Sequence, residues 1–211
     1  MKNIVLVRID DRLIHGQIMT QWSRLYSPTE IMVVDDETAG FVYDRGAADG
    51  GAQGVQSRGG RCGQGGGIPA AGGGEERILM LVKVPETVEA LVDRGVEIRA
   101  LNVGGMCKRA GRSTLYRNIS SSPAENETLL RLQKRGVRVY VTVNTLVKDA
   151  ELAEALDFCA YLCSLPVDGI LVQDMGLFAL LHEACPEMPL HASTQMSLHT
   201  LSGIQEAASS A

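Results

Sequence analysis

With 211 residues and a formal net charge of −5, the chain has room for one large or two small domains and lacks the basic footprint of a nucleic-acid binder. Hydrophobic residues make up 45% and charged residues 21%, the balance of a soluble globular protein, with no apolar run of membrane-spanning length and no signal-peptide pattern. Five cysteines (Cys62, Cys107, Cys159, Cys163 and Cys185), odd in number and without paired spacings, argue against a disulfide framework, and a cytoplasmic location is expected.

The chain enters at once on an apolar run, Ile4-Val-Leu-Val7, that reads as a buried first strand. Arg8-Ile-Asp-Asp-Arg-Leu-Ile-His-Gly-Gln-Ile18 follows, and Met19 to Leu25 then has the apolar spacing of a helix. His15 thus falls at a strand-to-helix junction with Asp10, Asp11 and Arg12 beside it. In α/β proteins strand ends and helix N-termini converge at such junctions, and chemistry is placed there. An imidazole of ordinary pKa near ~6.5 is largely neutral at pH 7 and nucleophilic through either nitrogen. First-turn N–H groups near Gly16 and Gln17 suit an oxyanion or phosphoryl group, and Arg12 adds a planar cation that forks onto phosphate oxygens. Nucleophile, anion cradle and counter-charge together point to transient phosphoryl transfer onto His15. The alternative is an ordinary loop with surface charges.

Glu30-Ile-Met-Val-Val-Asp-Asp36 reads as a second strand. Residues 40–74 then break the pattern: 14 of these 35 residues are glycine, against 9 in the rest of the chain. Such a composition predicts an irregular, disordered insert. A Gly-rich phosphate loop would need a strand before it and Lys-Ser/Thr after it, which Gly72-Gly-Gly-Glu-Glu76 does not supply. Abrupt loss and recovery of register with Gly/Arg enrichment is also the pattern of a GC-rich gene read briefly out of frame. Regular structure resumes with a strand at Arg77–Lys83, the segments Pro85–Gly95 and Leu101–Met106, and a helix over 124–135.

From Gly136 a new βαβ series begins. Val137–Val143 is a β-branched strand, Asp149–Leu162 has helical spacing, Gly169–Val172 is a short buried strand, Met175–Ala184 a helix, and Pro189–Ser193 a strand. Cys159 and Cys163, four apart on the first of these helices, read as buried small hydrophobes rather than a metal pair. Asn144, Gln173, Asp174, His191, Thr194 and Gln195 end these strands; they read as strand and loop caps, with an acid–base pair of His191 and Asp174 as the sharper alternative. His182 and His199 are expected on exposed helix surface.

The block Arg8-Ile-Asp-Asp-Arg-Leu-Ile-His-Gly-Gln17, continued by Glu30–Asp36, Arg77–Lys83, Pro85–Gly95 and Leu101-Asn-Val-Gly-Gly-Met106, resembles the IIB components of the mannose/fructose/sorbose family of the bacterial phosphotransferase system. The resemblance covers roughly residues 1–39 and 75–135. It implies a protein-Nπ-phosphohistidine–sugar phosphotransferase: the histidine at position 15 accepts phosphate from a IIA component and passes it to a sugar entering through membrane components IIC and IID. It further implies phosphate support from Arg12; Asp10 and the first-turn residues Gly16 and Gln17 are expected to add to that support. It implies no bound metal or organic cofactor, and peripheral association with the membrane components. In that family the interval 40–74 holds a helix, a strand and a second helix, so an irregular run there would leave the sheet one element short.

Val139–Leu146, Val167–Leu177 and Pro189–Ser197 resemble a different family, the collagenase-like peptidases, over about residues 136–205. That resemblance implies the middle strands of a (β/α) barrel, which alone cannot close. The expected whole is an α/β chain with a mostly parallel sheet, flanking helices, a Gly-rich irregular insert at 40–74 and a C-terminal partial barrel-like segment. Two domains follow: an IIB-like unit over 1–135 and a truncated peptidase-like unit over 136–211. Phosphohistidine relay is the leading function; a peptidase-family fragment or an inactive fused product is the alternative.

Overall fold

A computed structural model describes residues 2–35, 56–60, 76–117, 119–165 and 167–209, with 56–60 described as backbone only. Among these residues eight strands form one parallel sheet in the order β10-β9-β8-β5-β1-β4-β2-β3. They are β1 (Lys2–Asp10), β2 (Glu30–Val34), β3 (Gln56–Gly60), β4 (Glu76–Val82), β5 (Ala100–Gly105), β8 (Arg138–Val143), β9 (Gly169–Val172) and β10 (Leu190–Ala192). Between β5 and β8 a small antiparallel pair intervenes, β6 (Ser113–Tyr116) with β7 (Ile119–Ser121). Strands of a parallel sheet are buried on both faces and need continuous apolar runs. Ile78-Leu-Met-Leu-Val82 of β4 is such a run, each side chain at most 1% exposed.

The two faces are covered differently. On one, Val88 of α2 (Pro85–Asp93), Leu132 of α3 (Pro123–Lys134), Phe158 of α4 (Leu152–Ser164) and Leu177 of α5 (Met175–Ala184) pack over Val7, Ile9, Val103, Val141 and Val172. On the other, Leu13, Ile18 and Trp22 pack over Leu6, Ile31, Val33, Leu79 and Leu81. The helix that covers this second face is irregular: a π-helical stretch, Ile18–Trp22, runs into α1 (Ser23–Tyr26). A last helix, α6 (Leu201–Ser209), follows β10.

The chain leaves β1 toward β4 and β2 by way of α1, and leaves β5 toward β8 by way of α3, on opposite faces and in opposite directions. β1 and β5 are neighbours, so their carboxyl ends diverge into a crevice, the place where doubly wound sheets bind ligands. The β1-to-helix loop carrying His15 opens into that crevice.

Local sequence explains the seam near residue 136. Ser122 caps α3 with Glu125 in a reciprocal box, and Pro123 takes the first helical position, where its missing N–H costs nothing. Gly136, at φ +87°, ends the helix: its N–H reaches Gln133 O at 2.8 Å while Val137 N reaches Leu132 O at 3.1 Å. The chain then enters β8, which pairs in register with β5, Ala100 opposite Arg138 through Val103 opposite Val141. β8, β9 and β10 are successive parallel neighbours, an arrangement that an open sheet and an arc of a barrel share.

The irregular stretch expected over 40–74 falls largely outside the described residues, as does Cys62. Within it, Gln56–Gly60 forms β3, paired with β2 from Glu30 opposite Gln56 to Val34 opposite Gly60. An edge strand needs backbone partners before it needs a side-chain pattern, which is why periodicity missed it. The β6–β7 pair and α6 were likewise not anticipated. His182 lies exposed on α5 as expected, whereas His199 precedes α6 rather than sitting within a helix. Cys159 is fully buried in the core under α4, and burial pushes its thiol up to about 12.

Candidate active site at the carboxyl edge of β1 and β5

Alternation along β1 sends Val7 and Ile9 into one core and Leu6 into the other. Arg8 and Asp10 are nonetheless buried, 1% and 0% exposed. Charges are buried only when they are paired and hydrogen-bonded. Here Arg8 donates to Asp10 Oδ2 from Nη2 (2.9 Å) and Nε (3.2 Å), and to Asn102 Oδ1 on β5. Its guanidinium also lies 5.0 Å over the Trp22 ring. Asn102 in turn exchanges hydrogen bonds with Thr142 on β8 at 3.0 and 3.1 Å. A buried polar thread thus crosses β1, β5 and β8.

Asp10 also receives Arg12, Nε at 2.9 Å on Oδ1 and Nη2 at 2.9 Å on Oδ2, plus the Arg12 backbone N–H at 3.2 Å. His15 Nε2 stands 3.6 Å from Asp10 Oδ2. Burial pushes the Asp10 carboxyl up, but the Arg12 hydrogen bonds and the charges of Arg8 and His15 outweigh it and hold it below the ordinary carboxylate value. Asp10 is therefore a carboxylate at neutral pH. The His15 ring is fixed from the other side by Nδ1, 2.8 Å from Leu13 O, and its Nε2 is enclosed without a hydrogen-bond partner. Leu13 itself is held at φ 54°, a left-handed conformation costly for a branched residue. A π-helix follows within three residues of the histidine, a second irregularity of the kind found at functional sites.

Asp11 turns the other way, into the β5 side of the crevice. Its N–H donates to Gly105 O (2.9 Å), and its carboxylate receives Cys107 N (2.5 Å), Arg109 Nη2 (2.9 Å) and Arg112 Nη1 (3.3 Å). Arg112 is buried and clasps Glu125 of the α3 cap at 2.5 Å. Burial opposes the Arg112 charge, yet the Glu125 hydrogen bond and charge win and raise its pKa. The loop after β1, the loop after β5 and the start of α3 are thereby tied together.

Of the residues singled out in the sequence, Asp10, Arg12 and His15 come together. Gly16 and Gln17 open the helical turn that follows, where early N–H groups have no preceding carbonyl to bond; the His15 ring itself bonds Leu13 O instead of either. Sequence reasoning passed over Arg8, Asn102, Arg109, Arg112 and Glu125. The available signal was charge and amide set into otherwise apolar strands, Arg8 in β1 and Asn102 in β5. In the C-terminal half, Asp174 caps α5 (Leu177 N, 3.0 Å) and holds Val147 N (3.2 Å), while His191 meets Tyr140 edge-on, centroids 5.4 Å apart. Thr194 Oγ1 reaches Gln21 Oε1 at 3.1 Å, and Gln195 N reaches Ser193 Oγ.

This geometry has relatives. The sorbose-specific EIIB component of Klebsiella pneumoniae is 32% identical over 152 residues, covering 66% of this chain and 87% of that protein. The chain belongs to the phosphotransferase-system IIB family.

The family model for the sorbose-subfamily IIB component matches residues 4–49, which include the whole His15 loop. Among solved structures, that of manxB from Thermoanaerobacter tengcongensis is 33% identical and superposes with a TM-score of 0.56 over 67% of this chain and 87% of that one. The IIB domain of the sorbose permease from Klebsiella pneumoniae follows at 28% identity and a TM-score of 0.53. The mannose-specific EIIAB component of Escherichia coli (strain K12) is 34% identical over 143 residues, and the chain spans 43% of its length. The model for peptidase family U32 matches residues 86–210, more than half of the chain, so both expected resemblances are present. The two family models match separate residues, but the sorbose-specific relative covers 66% of the chain and so extends into the peptidase-matched stretch, which starts at α2, well before residue 136, and includes β5.

Proposed function

We propose that the chain acts as a sugar phosphotransferase-system IIB component in which His15 accepts a phosphoryl group from a IIA partner and yields it to a sugar entering through IIC and IID. The observation that carries this reading is His15 at the β1–β5 crevice, held between the Leu13 carbonyl and the Asp10 carboxylate with Arg12 alongside. In the transfer, the bond from phosphorus to the donor nitrogen breaks with its electron pair left on the donor ring. The lone pair of a His15 nitrogen forms the new P–N bond, and each ring keeps the proton on its other nitrogen. Positioning and charge stabilisation supply most of the acceleration in such reactions.

The accepting atom is Nδ1, the π nitrogen. At rest it donates its proton to Leu13 O; for transfer that contact opens and the proton passes to Nε2, 3.6 Å from Asp10 Oδ2, so that the Nδ1 lone pair can meet phosphorus. Asp10 supports phosphate indirectly, by holding Arg12 and His15, since a carboxylate placed against a phosphoryl group would repel it. Arg12, 48% exposed, turns from Asp10 to the phosphoryl oxygens, and the N–H groups of Gly16 and Gln17 receive the remaining charge. The protein works in the cytoplasm, docked on the membrane components; among the described residues no helix is long and apolar enough to cross a membrane.

The peptidase U32 match over residues 86–210 favours a second reading, a peptidase-family enzyme, with an inactive fused product as the remaining alternative. One experiment separates them. The full chain is incubated with phosphoenolpyruvate, the general phosphotransferase proteins and a IIA component, and acid-labile phosphate is located by mass spectrometry. Label on His15 that disappears in His15→Ala supports the relay; no label beside an intact, labelled IIB control sinks it.

A further inference from the structure

The paired aspartates at the end of β1 are built alike. Asp10 holds one buried arginine, Arg8 at 1% exposure, and one half-exposed arginine, Arg12 at 48%. Asp11 holds one buried arginine, Arg112 at 4%, and one half-exposed arginine, Arg109 at 40%. In each set the buried guanidinium is fixed by further partners, Asn102 for Arg8 and Glu125 for Arg112, while the guanidiniums of Arg12 and Arg109 make no other hydrogen bond among the described residues. If an outer arginine leaves, its aspartate still keeps an inner one, so no buried carboxylate is stranded. Each outer pair joins a half-exposed guanidinium to a buried carboxylate, so the guanidinium can turn to another anion only because the inner arginine stays. Asp10 ends β1 and Asp11 follows it directly, so the two sets are neighbours in the chain. Cys107, exposed on the loop after β5, donates its N–H to Asp11. Arg109 lies two residues further along that loop, its guanidinium on Asp11 while that of Arg12 is on the adjacent Asp10.

We infer that Arg109 is a second clamp for the phosphoryl group on His15: it leaves Asp11 as Arg12 leaves Asp10, and the two guanidiniums hold the group from the β5 and β1 sides of the crevice. The inference rests on the phosphohistidine reading of His15. Its chemical demand is that of a dianionic, three-oxygen group, which two planar forks satisfy better than one. Arginine, rather than a lysine point charge, is required at 109 for the same reason.

The test uses the full chain, phosphorylated from phosphoenolpyruvate through the IIA component, as wild type and as Arg109→Ala, Arg109→Lys and Arg99→Ala. Among the described residues the Arg99 side chain pairs with Glu97 alone, on exposed surface, and it serves as the charge control. Label appears on His15 in all four, but Arg109→Ala is phosphorylated on the order of tenfold to a hundredfold more slowly. Its phosphohistidine 31P resonance moves, Arg109→Lys recovers only part of the rate, and melting temperatures stay together. Wild-type rate and an unmoved resonance in Arg109→Ala would overturn the assignment while leaving the relay standing. Absence of label on the wild type overturns the relay and the assignment with it.

Discussion

Gly104 stands where the Arg8 guanidinium lies: a Cβ there would come within 2.1 Å of the guanidinium carbon. The glycine of β5 is therefore part of the charge arrangement of β1. Gly104→Ala forces Arg8 out of its site and separates it from Asp10 and Asn102. Breaking a buried pair of this kind costs roughly 3–5 kcal/mol. Chemical denaturation checks it, and a variant with an unchanged midpoint would show that Arg8 has another place to go.

Asp10 organises three side chains, so its charge and its shape can be tested separately. Asp10→Asn keeps the shape, but leaves Arg8 buried beside a neutral amide and removes the acceptor facing His15 Nε2. A stability loss of roughly 3–5 kcal/mol is expected at pH 7. His15 labelling should fall at least tenfold even under conditions where the variant is fully folded, the size of effect seen when a positioned proton acceptor is lost. Folded Asp10→Asn labelled at the wild-type rate would remove Asp10 from the proposed proton shift.

Acid should unfold the chain through two carboxyls. Burial pushes Glu125 up, but the Arg112 hydrogen bond and the Ser122 backbone outweigh it, so Glu125, like Asp10, titrates below its ordinary value. Both therefore bind a proton less readily folded than unfolded. As pH falls below about 4, the unfolded chain takes up protons first and stability drops with it; above that range the contribution is fully present. Glu125→Gln keeps the reciprocal cap but loses the charge, and should cost about 1.5–3 kcal/mol at pH 7. The gap between variant and wild type should close in the acid range, and urea titrations at stepped pH would show it.

Much of this was open to reading in the sequence. The run Ile4–Val7, the helical spacing after Met19 and the lone His15 between them are local patterns, and each maps onto a local element. The partners of Asp11 were not legible, because Cys107, Arg109 and Arg112 are 96 to 101 residues away and only the β1–β5 pairing brings them near. Leu13's left-handed backbone and the π-helix at Ile18–Trp22 are set by tertiary packing under Trp22, and residue preference gives no warning of either. β3 escaped notice for the opposite reason: its side chains carry no pattern, and its place is set by the free edge of β2.

The C-terminal strand ends pose the last question, whether polar residues there cap or catalyse. Asp174 Oδ1 takes the Leu177 N–H at the start of α5, and Oδ2 takes Val147 N in the loop after β8. His191 is turned to Tyr140, its ring at 84° to the phenol, and lies against Gly169. Asp174 is thus fully engaged in backbone capping, and the acid–base pair is not assembled. Asp174→Ala should cost about 1–2 kcal/mol, the loss of a helix cap and one further backbone contact. His191→Ala should leave the rate of casein hydrolysis at the background of the wild-type chain. A proteolytic activity of the purified chain that vanishes in His191→Ala, with folding unchanged, would return the peptidase reading to first place.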